Sequence, residues 1–283
     1  MMGMRAAPRT VHRWLARASV RAFSTSRLQG RVALVSGAAG GLGKGIAQKF
    51  AEEGAHIVVA DFNLEGAQSV ADALPSALAV QVDVTDEDGV ERAFREGINA
   101  FGKIDIVVAN AGHQHIASVV DMPYTEWRRM IAVHLDGSFL MTRAALRHMY
   151  ERDTQNGKII LMGSIHSKEA SVLKCPYVAA KHGVLGFARA VAKEAGPRGV
   201  SVNVVCPGFV YTPLVERQIP EQAKRLDMCP KKVVSDVMLG GTVDGEFSTI
   251  EDVAETTLFL AAHPTNALTG QSINVSHGWV MSC

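Results

Sequence analysis

Short apolar runs rich in valine and isoleucine alternate along this chain with longer segments in which apolar residues recur at helical spacing. The runs predict strands at residues 32–35, 57–60, 78–82, 104–109, 158–162, 200–205 and 272–275. The segments between them predict helices at residues 42–53, 65–72, 87–101, 125–150, 177–195 and 250–262. Because the strands are too apolar to have a wet face, they predict a parallel sheet covered by helices on both sides. The predicted fold class is therefore α/β, a doubly wound parallel sheet.

The alternation is interrupted for one long stretch, residues 207–248, which is rich in proline, glycine and charged residues. A stretch of this length beside the carboxyl ends of strands is typical of a substrate lid. A length of 283 residues can be filled by one α/β domain. We therefore predict a single domain over residues 30–283, with a lid at about 207–248.

Residues 1–29 differ from the rest of the chain, because they hold six arginines and no acidic residue. Four of these arginines recur every four residues and form a basic stripe on a helix: Arg9, Arg13, Arg17 and Arg21. Such a stripe followed by Ser-Thr-Ser is typical of a mitochondrial transit peptide, with removal after Phe23 or a little beyond. The predicted location is the mitochondrial matrix. The alternative is a disordered basic tail.

The charge and cysteine content of the chain exclude several classes of function. Without residues 1–29 the chain has 23 basic and 28 acidic residues, a net charge of −5, which argues against a nucleic-acid partner. No apolar stretch reaches the roughly 18 residues that predict a membrane span. The four cysteines lack Cys-x-x-Cys spacing, so neither a disulfide framework nor a metal site is predicted. Cys206, in an apolar run, is predicted to be a small core residue.

A glycine cluster follows the first predicted strand and opens the first predicted helix. It reads Ser-Gly-Ala-Ala-Gly-Gly-Leu-Gly over residues 36–43. Glycines at this place let the backbone turn sharply and approach a diphosphate, whose charge the helix N-terminus meets. Asp61 ends the second strand, where a carboxylate binds the adenosine ribose and repels a 2′-phosphate. The alternative role for Asp61 is to cap the next helix. No lysine or arginine stands at positions 38, 39 or 62, so we predict NAD as the cofactor.

Further motifs come in a fixed order after the glycine cluster: Asn110-Ala111-Gly112, Ser164, Tyr177-x-x-x-Lys181 and Pro207-Gly208. Together they resemble the short-chain dehydrogenase/reductase family over residues 31–280, which implies a Rossmann-like fold and a homotetramer. The resemblance places Asp83 and Val84 at the adenine, Asn110 against the cofactor pocket, and Val210 and Thr212 at the nicotinamide carboxamide. The implied cofactor-binding set is Gly37, Gly41, Leu42, Gly43, Asp61, Asp83, Val84, Asn110, Tyr177, Lys181, Val210 and Thr212.

Tyr177 and Lys181 are one helical turn apart, so the lysine ammonium can lie near the phenol oxygen. Lowering the phenol pKa from near 10 to near 7 requires about 4 kcal/mol of stabilisation of the phenolate. Lys181 and the positively charged nicotinamide can supply it. Tyr177 then takes the alcohol proton while Ser164 donates a hydrogen bond to the same oxygen. The alternative for the pair is an ordinary surface contact on a helix.

His134 departs from the family pattern, because the family usually places there an asparagine that helps to hold a water on the proton path behind the lysine. An imidazole can also donate and accept hydrogen bonds, so the proton relay can survive the exchange. We therefore predict His134 to be a fourth catalytic residue.

Several polar residues near the predicted strand ends are not needed for nucleotide chemistry. They provide one cation and several hydrogen-bond donors for a small anion: Gln114, His115, Ser164, His166, Lys174 and Gln218. The phrases Asn-Ala-Gly-His-Gln-His and Tyr-Val-Ala-Ala-Lys-His-Gly look like the 3-hydroxybutyrate dehydrogenase branch of the family. That resemblance implies a small carboxylate substrate, NAD and hydride transfer between (R)-3-hydroxybutyrate and acetoacetate. Two alternatives are a related reductase for a larger hydroxy or keto compound and a catalytically silent binding subunit.

Overall fold

The computed structural model of the protein describes residues 26–281. Within them the strands are β1 (Val32–Ser36), β2 (His56–Asp61), β3 (Ala77–Gln81), β4 (Ile106–Ala109), β5 (Gly157–Met162), β6 (Val200–Pro207) and β7 (Ser272–Val275). They form one sheet in the order β3-β2-β1-β4-β5-β6-β7, and every neighbouring pair is parallel. The predicted strands are therefore confirmed, with small shifts at their ends.

Helices connect the strands and cover the sheet. The α-helices of residues 26–281 are α1 (Gly41–Glu52), α2 (Leu64–Asp72), α3 (Glu87–Phe101), α4 (Tyr124–Ile131), α5 (Gly137–Glu151), α6 (Cys175–Ala195), α7 (Pro213–Leu226), α8 (Pro230–Lys232) and α9 (Ile250–Ala262). A π-helical turn, Ala132–Asp136, joins α4 to α5, so the predicted helix over 125–150 is interrupted in its middle. Such wide turns occur often at functional sites.

The sheet has an apolar core on each face, because successive strand residues point to opposite sides. All five residues of β1 are buried. Val32 and Leu34 pack in the core on the side of α3, α5 and α6, whereas Ala33 and Val35 pack on the side of α1, α2 and α9. Cys206 is fully buried among these apolar residues, as predicted. The doubly wound α/β fold is therefore confirmed.

The strand order reverses at β1, which pairs with β2 on one side and β4 on the other. Helices leave the two neighbouring strands toward opposite faces, and this opens a crevice at the carboxyl ends of the strands. Ligands of open α/β sheets bind at this switch point. The fold therefore brings the loops after β1, β4, β5 and β6 to one edge.

The long stretch 207–248 contains α7, α8 and a second π-helical turn, Val233–Met238, none of which the sequence pattern predicted. Val215, Ala223, Val233 and Met238 form a small apolar cluster of their own. The sequence pattern does not reveal these helices, because the segment that forms α7 contains few apolar residues and has Pro220 in its interior. The role of the stretch as a lid stays a prediction.

Residues 1–25 carry most of the predicted transit peptide and lie outside the described residues. The described part begins with residues that belong to the folded domain. Leu28 is buried in the core, and the Arg27 guanidinium lies 2.7 Å from a carboxylate oxygen of Glu53. The folded domain therefore starts before the boundary placed between residues 29 and 30.

Among residues 26–281, no helix is both long and apolar enough to cross a membrane. The same residues contain no cluster of histidine, cysteine and acidic side chains arranged to hold a metal ion.

Candidate active site

A cavity of about 1010 Å³ opens at the carboxyl ends of the strands, at the switch point of the sheet. Its walls come from the ends of β1 to β6 and the loops that follow them, and from α4, α6 and α7. The predicted site residues that line it are Gly37, Gly41, Leu42, Asp61, Asp83, Val84, Asn110, Gln114, His134, Ser164, His166, Lys174, Tyr177, Lys181, Val210, Thr212 and Gln218. The fold thus collects into one cavity residues that are spread along most of the chain.

Of the predicted cofactor-binding residues, Gly43 does not line the cavity, and this corrects its predicted contact with the cofactor. It lies beneath the glycine turn, where a Cβ would come within 2.1 Å of the Gly37 carbonyl oxygen. Its role is to let α1 pack against the turn. Gly37 has a positive φ of 64°. It lies so close to Ala111 that a Cβ on Gly37 would be 2.8 Å from the Cα of Ala111.

The glycine turn is fastened to the loop after β4. The Asn110 side chain donates to the backbone oxygens of Ser36 at 2.9 Å and Gly37 at 3.2 Å. In return, the Ser36 hydroxyl accepts from the backbone nitrogens of Asn110 and Ala111. Asn110 therefore supports the wall of the cavity from behind.

The N-terminus of α1 faces this turn without a side-chain cap, since its first flanking residue is Gly40. The free backbone N–H groups and the helix dipole provide a binding site for an anion. A dinucleotide diphosphate fits this arrangement, because glycines leave the backbone open to it.

Asp61 lies at the end of β2 with its carboxylate fixed by two backbone N–H groups, from Ala39 and Asn63, each at 2.9 Å. The cap of α2 is Asn63, whose side chain accepts from Gly66, so the alternative role for Asp61 is wrong. Asp83 is held similarly, because Thr85 donates to it from both its backbone and its hydroxyl. Each carboxylate keeps lone pairs for hydroxyl or amino donors.

Tyr177 and Lys181 lie together on α6 as predicted, with the lysine Nζ 5.6 Å from the centre of the tyrosine ring. Lys181 is buried, and its Nζ donates to the Met162 backbone oxygen at 2.6 Å. The Ser164 hydroxyl accepts from the His166 backbone nitrogen at 3.2 Å. The pair is thus part of the cavity wall, and an ordinary surface contact is excluded.

Burial opposes the ionisation of Tyr177. It raises the pKa of the phenol, and a hydrogen bond with the Ser164 side chain lowers that pKa by less. Burial also lowers the pKa of Lys181 to about 8, so the ammonium stays charged at neutral pH. A positively charged ligand beside Tyr177 would favour the phenolate, because opposite charges stabilise the ionised form.

His134 lies in the π-helical turn behind the tyrosine, with its ring edge-on to Tyr177 at a centroid distance of 5.2 Å. Its Nε2 contacts the His113 backbone oxygen at 2.8 Å, while its buried Nδ1 has no partner among the described residues. Burial, with a smaller effect of the Lys181 charge, holds the pKa of His134 well below its usual value. A neutral ring with a free nitrogen suits a relay, and its catalytic role stays a prediction.

Lys174 is the second buried lysine in the wall of the cavity. It is only 3% exposed, and burial alone lowers its pKa to about 8. His166 lies beside it, edge-on to Tyr177 at a centroid distance of 6.1 Å. Burial and the nearby Lys174 charge lower the pKa of His166 to about 4, so its ring is neutral. The two His166 nitrogens are buried and have no partner within residues 26–281.

The two predicted glutamines also reach the cavity, whereas His115 does not. The Gln114 side-chain oxygen is buried without a partner among the described residues, and Gln218 is buried on α7. His115 is turned toward Glu126, at 3.8 Å, and does not line the cavity. The cavity therefore leaves out His115, which the sequence pattern placed in the substrate site, although its neighbours His113 and Gln114 both line it.

Several cavity residues were not predicted from the sequence: His113, Arg128, Arg129, Phe209 and Arg217. The Phe209 position could have been found, since it directly follows the Pro-Gly pair at the end of β6. The arginines lie on α4 and α7, and nothing in their local sequence separates them from solvent-exposed residues.

Comparisons with known proteins agree with this geometry. The family model described as Enoyl-(Acyl carrier protein) reductase matches residues 37–280. A D-beta-hydroxybutyrate dehydrogenase of Rhizobium meliloti is 36% identical over 255 residues, which are 88% of this chain and 98% of the relative. A 3-oxoacyl-(acyl-carrier-protein) reductase FabG of Thermotoga maritima is 34% identical over 259 residues, 90% of this chain and 100% of the relative.

Among solved structures, a short-chain type dehydrogenase/reductase from Mycobacterium marinum superposes with a TM-score of 0.80 at 30% identity. The match covers 90% of this chain and 97% of that one. The family model spans the glycine turn from Gly37 onward and the Ser164, Tyr177 and Lys181 positions. The protein therefore belongs to the short-chain dehydrogenase/reductase family.

Proposed function

We propose that this protein is an NAD-dependent dehydrogenase that interconverts (R)-3-hydroxybutyrate and acetoacetate. The observation that carries the proposal is Lys174, a buried lysine that lines the cavity and has no acidic partner among residues 26–281. A buried charge is costly unless it is paired. A substrate carboxylate is the partner that would pair with it.

The surroundings of Lys174 fit a small hydroxy acid. His166 offers buried ring nitrogens near the ammonium, and Gln114 and Gln218 contribute amide groups from two other walls. These groups can bind the two oxygens of a carboxylate. His166 also contacts the Tyr177 ring, so the carboxylate end and the reacting hydroxyl are separated by a short distance only. A relative named for D-beta-hydroxybutyrate supports the same substrate.

The residues of this chain divide the reaction among them. A nicotinamide bound in the cavity would supply the hydride chemistry of the reaction. In the oxidation of an alcohol, the Lys181 ammonium stabilises the Tyr177 phenolate, whose oxygen takes the hydroxyl proton and so becomes the neutral phenol. Ser164 donates a hydrogen bond to the substrate oxygen and so holds the carbon that loses hydride. In the reverse direction the Tyr177 hydroxyl returns the proton to the carbonyl oxygen.

The substrate proposal is tested by a panel of alcohols assayed for NADH formation. The panel contains (R)- and (S)-3-hydroxybutyrate, longer 3-hydroxy acids, a 3-hydroxyacyl thioester and neutral secondary alcohols. We expect the highest kcat/KM for the (R)-acid. A higher kcat/KM for the thioester would favour the reductase for larger compounds, to which the Thermotoga maritima relative points. Absence of turnover with every compound would favour a silent binding subunit.

We expect Asp61→Ala to raise the KM for NAD by about tenfold or more, because a charged acceptor contributes about 1.5–3 kcal/mol to a hydrogen bond. The same change should narrow the preference for NAD over NADP, since the carboxylate no longer repels the 2′-phosphate. The measurement is kcat/KM for both cofactors. Asp61→Asn serves as the control, because its side-chain oxygen can still accept from Ala39. An unchanged preference in Asp61→Ala would overturn the assignment of NAD.

We also propose that residues 1–23 address the protein to the mitochondrial matrix, on the evidence of their acid-free arginine stripe. A shortened chain that begins at Ser24 keeps Arg27 and Leu28, which belong to the folded domain. It should therefore retain activity in vitro but fail to enter isolated mitochondria. Import of the shortened chain at the rate of the full chain would contradict the proposal.

The homotetramer is proposed on the family resemblance together with a partly exposed aromatic pair, in which Phe139 is exposed and Phe187 is half-buried. Phe139 on α5 is 43% exposed and lies 6.2 Å, centroid to centroid, from Phe187 on α6. A second copy would cover this apolar surface. Light scattering should give four times the mass of the chain.

A further inference from the structure

The Lys174 ammonium lies over the face of the Phe209 ring, 4.5 Å from the ring centre. The lysine is buried, and within residues 26–281 neither an acidic side chain nor a hydrogen-bond acceptor is paired with its Nζ. The ring face is thus the partner of this charge in the protein itself. An aromatic face attracts a cation because its π electrons carry a negative quadrupole.

The chemical nature of this partner matters for binding an anion. A carboxylate in place of Phe209 would neutralise Lys174 and would repel an incoming acid. A ring face attracts the ammonium without accepting its N–H groups, so all three donors remain available to a ligand. The ring therefore holds the charge in place without consuming the hydrogen bonds that an anion needs.

The backbone beside Lys174 is also constrained. Leu173 has a φ of 65°, in the left-handed region that a branched side chain seldom occupies. Its carbonyl oxygen accepts from the Ala117 backbone nitrogen at 3.0 Å, which ties this turn to the loop after β4. A strained residue of this kind persists when its surroundings fix it, and such residues concentrate at ligand sites.

Phe209 is itself held from behind. The Trp279 ring packs on it at a centroid distance of 5.8 Å, and the Trp279 Nε1 donates to Glu169 at 3.2 Å. Gly241 lets the indole approach, because a Cβ there would lie 2.4 Å from the ring. The His166 ring meets Phe209 edge-on at 6.3 Å. The orientation of the Phe209 ring is therefore fixed by its neighbours.

We propose that Phe209 is a positioning residue that holds the Lys174 ammonium for the substrate carboxylate through its ring face, and so sets the selectivity for acids over neutral alcohols. This inference rests on the proposed carboxylate substrate. It differs from a shape role for Phe209, in which the ring would only contact the apolar part of the substrate. The two roles predict different coupling to Lys174.

A double-mutant cycle separates these roles. Phe209→Leu keeps an apolar side chain but removes the ring face, and we expect it to raise the KM for 3-hydroxybutyrate by about 3- to 30-fold with little change in kcat. In a Lys174→Met background the same change should alter KM less than twofold, because the charge it acts on is gone. The separate variant Phe209→Tyr keeps a ring face, and its KM should stay near the wild-type value. Equal losses in both backgrounds, or no loss in either, would overturn the proposal.

A second readout keeps this test independent of turnover. Acetate shares only the carboxylate with the proposed substrate, and its dissociation constant from the NAD-bound enzyme can be measured by titration calorimetry. We expect Phe209→Leu to weaken acetate binding in the wild type but not in Lys174→Met. If 3-hydroxybutyrate is not turned over but acetate shows this coupling, the proposed function fails and the role of Phe209 stands. If the wild-type enzyme binds neither acid, both fail.

Discussion

Replacing Tyr177 with phenylalanine should lower kcat by about 10³-fold, because the phenol oxygen is the group that takes and returns the substrate proton. The change removes one oxygen atom and leaves the ring, which lies edge-on to His134 and His166. The fold and the cofactor site should therefore survive. The measurement is steady-state kcat, together with the dissociation constant for NADH from fluorescence.

Tyr150→Phe is the matched control, because Tyr150 ends near the surface on α5 and does not line the cavity. Its kcat should equal that of the wild type. A Tyr177→Phe enzyme that retains more than a tenth of the wild-type kcat would show that another group moves the proton. His134, with its unpartnered buried Nδ1, would then be the first residue to examine.

Replacing Lys174 with methionine should reduce kcat/KM for 3-hydroxybutyrate by a factor that corresponds to about 2–5 kcal/mol, as for the loss of one partner of a buried charged pair. Most of the loss should appear in KM if the proposed contact of the ammonium with the carboxylate is equal in the ground and transition states. A neutral isostere, 4-hydroxypentan-2-one, should be used as well as before or better. The affinity for NAD should stay the same.

The pH dependence of the acid reaction should follow the same charge. The pKa of Lys174 is lowered by burial to about 8, so the ammonium is charged below that pH and neutral above it. In the wild type, kcat/KM for 3-hydroxybutyrate should therefore fall above pH 8 more steeply than kcat/KM for the neutral isostere. Lys174→Met should remove this difference between the two substrates.

Lys193→Met is the matched control for Lys174→Met, since Lys193 lies on α6, the helix that begins directly after Lys174, but is exposed to solvent. Its kinetics should not change. Equal losses on the acid and on the neutral isostere in Lys174→Met, or no loss on either, would refute a carboxylate site at this end of the cavity.

The sequence by itself determined the layers of this protein and the pairing of Tyr177 with Lys181. A strand such as β1, whose first four residues are all apolar, must be covered on both faces, and a parallel sheet between helices satisfies that requirement. Tyr177 and Lys181 could be paired from their spacing alone, because a helix places residues four apart on one side. Both conclusions depend on local periodicity, which the sequence displays directly.

Only the tertiary structure decided which polar residues share the cavity and what each one contacts. Gly43 and His115 follow the same motifs as their neighbours, yet the first packs beneath the glycine turn and the second faces Glu126. Phe209 and Lys174 are far apart in the chain. They meet because the loop after β6 and the start of α6 lie at the same edge of the sheet. Contacts between distant segments depend on how the layers pack, and no local sequence pattern records that packing.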